Sequence, residues 1–394
     1  MDASTNPSAP ILPSGATIGS TTRTGRRPRV AVVFGGRSGE HAVSCVTAAG
    51  VLRALDRDVY DVVPIGITTT GRWVLAADDP DRWEFAAGAP LPAVGAGDGP
   101  GVVVPLEVGV HDLTVGEPGE VPRTLGAVDV VFPLLHGPFG EDGTLQGLLE
   151  LADVRYVGSG VLASAASMDK HYMKVLLAGA GIPVVEHVLV TNRRWERDPE
   201  SVRADAEEIG YPVFVKPARA GSSLGITRVK GPADLDAAIE EARRHDPRVI
   251  VEPGVEGREI ECAVLESPDG GPPATSLPGE VEVVSGHEFY DFEAKYLDGG
   301  SVRLTCPADL PQDVVHRVRD LAARTFEALG CEGLARVDFF VRPGGDVIVN
   351  EINTMPGFTP LSMYPRMWQA TGLGYPQLVD RLVQLALRRP TGLR

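Results

Sequence analysis

The chain has 394 residues, 43% hydrophobic and 23% charged, with a formal net charge of −16. That length and mix allow a sizeable core and two or three domains, while the acidic balance argues against a general affinity for nucleic acid, whose phosphates demand clustered Lys and Arg. No apolar run is long enough for a signal peptide or a membrane span, and Cys45, Cys262, Cys306 and Cys331 lack the spacing of a zinc site or a disulfide framework, so the expectation is a cytoplasmic protein with reduced thiols and no membrane partner.

Residues 1–27, rich in Ser, Thr, Gly and Pro, are expected to form a disordered tail. The β-branched run 30–34 predicts a buried parallel strand ending in Gly35-Gly36, and apolar spacing predicts a helix over 40–55. A second strand, 59–67, leads into a Gly-, Pro- and Ala-rich stretch of weak periodicity, read as a surface insertion over about 70–125. A strand over 128–135 then runs into His136-Gly-Pro-Phe-Gly-Glu-Asp-Gly and a helix over 144–151. Sheets of this kind bind ligands beyond the carboxyl ends of their strands, which brings Glu40 and His136 toward one crevice.

From residue 167 the pattern alternates: helix 169–180, strand 184–190, helix 201–209, strand 213–216, helix 233–245. The last segment has strands over 259–265, 337–341 and 347–352, and a helix over 312–329 closed by Gly330. The fold class is therefore α/β followed by α+β, with expected divisions at 28–160, 161–252 and 253–394. Only five of the 37 basic residues are lysines, namely Lys170, Lys174, Lys216, Lys230 and Lys295. A lysine retained against that bias is a candidate for a compact, rotatable charge that a planar guanidinium cannot imitate.

The sharpest chemistry lies in Arg336-Val-Asp338 and Glu351-Ile-Asn353, on two strands flanking Gly344-Gly345. A two-residue turn at the glycines sets Asp338 opposite Glu351 and Arg336 opposite Asn353, and the period of two points all four to one side. Opposed carboxylates repel unless a cation lies between them. An all-oxygen set of Asp, Glu and Asn suits Mg²⁺ held together with nucleotide phosphates rather than zinc, although a solvated hairpin face is the alternative. Lys216, followed by the Gly221-Ser222-Ser223 loop, offers backbone N–H groups and hydroxyls that could cradle phosphate, and a structural turn fits it as well. The polar and aromatic segment 287–300, with Lys295, could close over a site or form a surface hairpin.

Taken together, Gly35-Gly-Arg-Ser-Gly-Glu-His-Ala-Val-Ser44, His136 through Gly147, Gly158-Ser-Gly, Met168-Asp-Lys170, Lys216 through Gly225, Glu293-Ala-Lys-Tyr296 and Asn350 through Ser362 resemble the D-alanine:D-alanine ligases of the ATP-grasp superfamily. The resemblance covers nearly all of residues 29–385. It implies a Rossmann-like first domain, then a two-part ATP-grasp fold whose last part carries the metal and catalytic residues. It implies ATP-dependent joining of two D-alanines through an acyl phosphate, for peptidoglycan precursor synthesis.

By the same resemblance Lys170, Lys216 and Lys295 contact ATP phosphates, with Ser223 in the phosphate loop. Glu252 and the backbone after it meet adenine, and Glu259 bonds the ribose hydroxyls. Asp338, Glu351 and Asn353 hold two Mg²⁺ ions, for which Mn²⁺ can substitute. Glu40 takes the ammonium of the first D-alanine, oriented by Ser222 and Tyr296, and His136 lies near that substrate. Ser362 takes the carboxylate of the second, and Arg336 with the Gly357 N–H faces the developing oxyanion. A homodimer through the first domain is also implied. Pro253 stands where some relatives have lysine, so only backbone contacts to adenine are expected there. Competing readings are a ligase of the same fold making D-Ala-D-lactate or D-Ala-D-serine, which Tyr296 argues against, and a non-catalytic ATP-binding regulator.

Overall fold

A computed structural model describes residues 25–85, 88, 90–117, 119–221, 225–283 and 302–392. The first region is built on a sheet of seven described strands in the order β6-β5-β4-β3-β2-β1-β7. Strand β1 (Arg29–Gly35) is buried along nearly all its length and pairs in parallel with β2 (Asp61–Ile67) and β7 (Val130–Pro133), as expected for an apolar run covered on both faces. Helix α1 (His41–Ala54) follows β1, and α2 (Thr144–Leu151) occupies the predicted 144–151.

The stretch read as a surface insertion over about 70–125 carries four short strands. Strands β3 (Trp73–Leu75), β4 (Gly101–Val103), β5 (Asp112–Gly116) and β6 (Arg123–Ala127) extend the sheet in antiparallel fashion from β2. They are three to five residues long, too short to show a period among the intervening glycines and prolines.

Helices α3 (Val161–Met168) and α4 (Lys170–Gly179) lead into a second, antiparallel sheet of order β10-β9-β11-β8. Its strands are β8 (Val188–Thr191), β9 (Val213–Pro217), β10 (Thr227–Val229) and β11 (Arg248–Pro253), flanked by α5 (Asn192–Arg197), α6 (Pro199–Ile209) and α7 (Leu235–Arg243). The predicted strand 184–190 begins only at Val188. Val184 is taken by an isolated parallel bridge to Val349, and Pro183 accepts a hydrogen bond from the Val349 N–H.

The third sheet contains β12 (Arg258–Leu265), β13 (Ala274–Thr275), β14 (Gly279–Val283), β15 (Val302–Thr305), β16 (Leu334–Val341) and β17 (Val347–Asn353). Its main order is β15-β14-β12-β16-β17, with β13 on β12. Helix α8 (Gln312–Ala328) covers it through Val314, Val318, Leu321, Ala322, Thr325 and Phe326, an apolar stripe at helical spacing. Gly330, at φ +63°, ends the helix in the left-handed conformation that glycine adopts without steric cost.

Two last helices, α9 (Met363–Ala370) and α10 (Tyr375–Arg388), return to the first region. Leu378, Val379, Leu382 and Val383 share one apolar core with Val30, Phe34, Val130 and Phe132. Tyr60 donates to Asp380 Oδ1 at 2.5 Å and accepts from Gln384 Nε2 at 2.6 Å, fixing α10 to the first region, where it packs against β7 and α1. The chain end thus ties the first sheet to the third, and the site forms where they meet. Three cysteines are buried, Cys306 is half-buried, and all four are free thiols.

Candidate active site

Because β1 and β7 are neighbours and parallel, the loops after them lie side by side. Ser44 Oγ accepts from the Gly35 N–H at 2.7 Å and donates to Leu134 O at 2.5 Å, and Ser38 Oγ donates to His136 O at 2.6 Å. Glu40, at the start of α1, projects between two glycine backbones. A Cβ on Gly137 would lie 2.7 Å from Glu40 Oε2, and one on Gly221 would lie 3.2 Å from it. Gly137, at φ +75°, thus has two reasons to be glycine. Gly221 belongs to the loop after β9, so the second sheet's loop reaches the first region's carboxylate.

His136 is buried. Its Nδ1 lies 3.1 Å from Met355 O and 3.4 Å from Glu141 Oε1, and its Nε2 lies 3.1 Å from Thr47 Oγ1. A carbonyl only accepts, so Nδ1 carries the proton of the neutral ring. Burial works against a charge on His136. The hydrogen bond and charge of Glu141, with Glu40 and the Met355 carbonyl, outweigh it and raise the imidazole above its ordinary value. Replacing Glu141 with Gln leaves burial dominant, so the His136 ring should titrate lower than in the parent when followed by NMR. An unchanged titration would show that Glu141 does not set the ring's charge.

Helix α4 starts where Asp169 caps it, accepting from the His171 and Tyr172 N–H groups at 3.1 and 3.2 Å. Lys170 and Lys174, one turn apart, lie on the same helix face. Lys170 Nζ meets Glu351 Oε2 at 3.3 Å and donates to Ala220 O at 3.0 Å. Lys216 and Phe214 share a face of β9, and β11 sets Glu252 opposite Phe214. Lys216 Nζ is therefore within 2.6 Å of Glu252 Oε2, while Lys174 Nζ reaches Glu252 Oε1 at 3.0 Å.

Burial pushes the Glu252 carboxyl upward, but Lys174 and Lys216 prevail and hold it at about 2. The folded value is depressed, so this stabilisation is present above the ordinary carboxylate value of 4.5 and is lost as pH falls toward about 2. Substituting Leu for Glu252 strands two lysines beside each other and should cost about 3–5 kcal/mol at neutral pH by urea unfolding. A cost below about 1 kcal/mol, the level of an exposed pair, would contradict that account.

On the third sheet the expected pairing holds where it matters: Arg336 lies opposite Asn353 and Asp338 opposite Glu351. The turn does not have the predicted form. Val341 pairs with Val347, leaving a five-residue loop over 342–346 with Gly344 and Gly345 at φ +102° and +88°. A register shift between Asp338 and Phe339, leaving Asn350 as the extra residue of β17, restores the expected pair. Arg336 holds Asp338 with both arms of its guanidinium, at 2.7 and 2.6 Å, and lies 3.2 Å from Glu261 Oε2. Asn353 Nδ2 donates to Asp338 Oδ2 at 3.0 Å.

These elements enclose a cavity of about 770 Å³ lined by Glu40, His136, Lys170, Arg336, Glu351 and Asn353, with Gly357 and Ser362 also in its wall. Ser362 Oγ lies 3.1 Å from the Thr359 N–H and 2.8 Å from Thr359 Oγ1. Asp338, Lys216, Glu252 and the exposed Glu259 do not line this cavity, although the charge of Glu259 is still felt at Lys216. Ser222, Ser223, Lys295 and Tyr296 lie outside the described residues. The sequence reading gave no role to Glu141, Lys174 or Glu261. Glu141 stood within a quoted motif and Lys174 among the five lysines, but Glu261 becomes visible only through the pairing of β12 with Asp338.

Asp338 and Glu351 face each other, and each already meets a cation, Arg336 and Lys170. Among the described residues no group of three or more His, Cys, Asp or Glu stands close enough to hold a metal alone. Two carboxylates and an amide oxygen fit a hard cation that completes its shell with phosphate oxygens and water.

A mixed sheet with a parallel β2-β1-β7 centre, facing the antiparallel ribbon of Asp338 and Glu351 across a cavity that Lys170 lines, has the architecture of an ATP-grasp ligase. Family models for the D-ala D-ala ligase N-terminus and C-terminus match residues 29–159 and 176–384. The chain is 69% identical to the D-alanine–D-alanine ligase of Kineococcus radiotolerans, over 93% of this chain and 99% of that protein. It is 61% identical to that of Pseudarthrobacter chlorophenolicus, over 93% and 96%. Among solved structures it resembles the D-alanine-D-alanine ligase from Coxiella burnetii, with a TM-score of 0.75, 37% identity and coverage of 92% and 94%. It also resembles the VanG D-Ala:D-Ser ligase from Enterococcus faecalis, with a TM-score of 0.77, 37% identity and coverage of 92% and 100%. The chain belongs to the D-alanine–D-alanine ligase family.

Proposed function

We propose that this chain joins two D-alanines into D-alanyl-D-alanine at the expense of ATP, for peptidoglycan precursor synthesis. The observation that carries the reading is the opposition of Asp338 and Glu351, flanked by Arg336 and Lys170, with Glu351, Arg336 and Lys170 lining the same cavity as Glu40 and His136. Asp338, Glu351 and the Asn353 carbonyl would hold two Mg²⁺ ions, with Mn²⁺ able to replace them, and these when bound offset the charge of the phosphate oxygens.

Lys170, Lys216 and Lys295 neutralise the triphosphate, and the Ser223 hydroxyl donates a hydrogen bond to it. Because the Glu252 carboxylate is engaged by two lysines, it is the backbone from Glu252 onward that meets adenine, while Glu259 takes the ribose hydroxyls. Glu40, with Ser222 and Tyr296, holds the first D-alanine by its ammonium near His136, so that its carboxylate faces the γ-phosphate. That carboxylate displaces ADP and becomes an acyl phosphate. Ser362 holds the second D-alanine by its carboxylate, and its free amine attacks the activated carbonyl. Arg336 and the Gly357 N–H face the oxyanion, which collapses to the dipeptide and releases phosphate. Exclusion of water protects the acyl phosphate.

The protein acts in the cytoplasm, where ATP is supplied, as a homodimer through the first domain. Among the described residues no helix is long and apolar enough to cross a membrane. The likeness to a solved D-Ala:D-Ser ligase, at 37% identity as for the solved D-alanine-D-alanine ligase, makes the second substrate the point to test. In a phosphate-release assay with product analysis, D-alanine should give dipeptide, whereas D-lactate or D-serine as second substrate should give little. Efficient depsipeptide or D-Ala-D-Ser formation would move the assignment to that sister activity, and ATP binding without D-alanine-stimulated hydrolysis would point to a regulator.

A further inference from the structure

Residues in β17 alternate until the register shift. Val347 and Val349 are buried, and with a period of two they would take Glu351 and Asn353 to the same, core-facing side. The extra residue, Asn350, breaks that alternation: Phe339 pairs with Val349, yet Asp338 pairs with Glu351. Bulges of this kind re-aim side chains beside active sites. This one turns Glu351 from the core toward Asp338, at the cost of ladder bonds around Asn350.

The Asn350 carbonyl is met from outside the sheet. Lys174 Nζ donates to it at 3.1 Å and is held 3.0 Å from Glu252 Oε1. The Lys174 side chain is 1% exposed, so it does not present a charge to a ligand in the cavity. Its helical neighbour Lys170 meets the Glu351 carboxylate at 3.3 Å, so α4 touches two consecutive residues of the bulge, one by its backbone and one by its side chain.

We infer that Lys174 is a positioning residue for the acidic ribbon: its ammonium, anchored by Glu252, caps the bulged Asn350 carbonyl and fixes the register that turns Glu351 toward Asp338. The inference rests on the reading of that ribbon as the cation site. Groups that orient metal ligands without touching the metal typically alter affinity about 10- to 100-fold when removed.

The test is Mn²⁺ binding to the full chain in the presence of ADP, followed by the paramagnetic resonance of free Mn²⁺. It is paired with amide exchange across residues 347–353 in the metal-free protein. Lys174→Met should weaken Mn²⁺ about 10- to 100-fold and speed exchange around Asn350. Because that variant leaves Glu252 buried beside Lys216 alone, the deciding comparison is Lys174→Met against Lys174→Gln, which loses the same charge but keeps an N–H donor for the Asn350 carbonyl. Tighter Mn²⁺ binding and slower exchange in the Gln variant support the cap. Equal Mn²⁺ affinity and equal exchange in those two proteins overturn it, leaving Lys174 as a counterion to Glu252. Glu351→Gln serves as the control. Should it bind Mn²⁺ like the parent, the cation reading fails, and the exchange rates alone then decide whether Lys174 holds the bulge.

Discussion

Replacing Arg336 with methionine should lower kcat by on the order of 10² to 10³, the scale of a lost oxyanion donor, and leave the KM for ATP nearly unchanged. The guanidinium is preorganised for that role. Two of its nitrogens are held by Asp338 at 2.7 and 2.6 Å, and Glu261 stands at 3.2 Å, so it need not be ordered at the moment of reaction. Lysine at this position should restore little, because a point charge on a flexible stem cannot keep both bonds to Asp338. The substitution also removes a cation from a face shared by Glu261 and Asp338, which pair across β12 and β16, so the resting protein should be less stable in urea. Steady-state kinetics at saturating D-alanine, alongside that denaturation curve, separates the two effects. A fall in kcat smaller than about tenfold would remove Arg336 from the oxyanion's surroundings.

How much of this was legible before the fold depended on the range of the physics involved. Long periodic elements were visible, as in the 144–151 and 312–329 helices, because a face of one element must be buried whatever lies opposite. The four short strands between residues 73 and 127 were not, since each is stabilised by neighbours rather than by its own pattern. The pairing of Asp338 with Glu351 was reached through a turn that does not exist: the loop is longer than expected, and the register shift at Asn350 compensates by one residue. The sequence carries a trace of that shift. Apolar Val347 and Val349 occupy odd positions, and the next buried residue is the even-numbered Ile352, a change of phase that a period-two pattern allows only at a bulge.

Residues whose roles depend on distant partners were the hardest to read. Glu252 carries one carboxylate oxygen to each of two lysines from different elements, and nothing near it in sequence announces either. Glu261 reaches Arg336 only after β12 pairs with β16. The scarcity of lysine was informative because compact ammonium groups are needed where three elements crowd together. Lys170, Lys174 and Lys216 meet around Glu252 and the ribbon of Asp338 and Glu351, as the ion pairs of all three show.

Glu351→Gln should have the largest effect on catalysis by a single substitution. It preserves the side chain's size and one acceptor oxygen while deleting the charge opposite Asp338, so a loss cannot be assigned to a cavity. Removal of metal-borne charge stabilisation is worth several kcal/mol, which corresponds to about 10² to 10⁴ in kcat/KM for ATP, since each 1.36 kcal/mol is tenfold. Lys170 would keep its bond to Ala220 O but lose its ionic partner at 3.3 Å. Its charge would then be less compensated, so binding of the triphosphate alone should weaken less than turnover does. A calorimetric titration with ATP in the presence of a chelator, set beside Mg²⁺-dependent phosphate release, reads the two quantities separately. If turnover and its Mg²⁺ dependence survive within tenfold of the parent, Glu351 cannot be a metal ligand, and the opposed carboxylates on β16 and β17 would be explained by Arg336 and Lys170 alone.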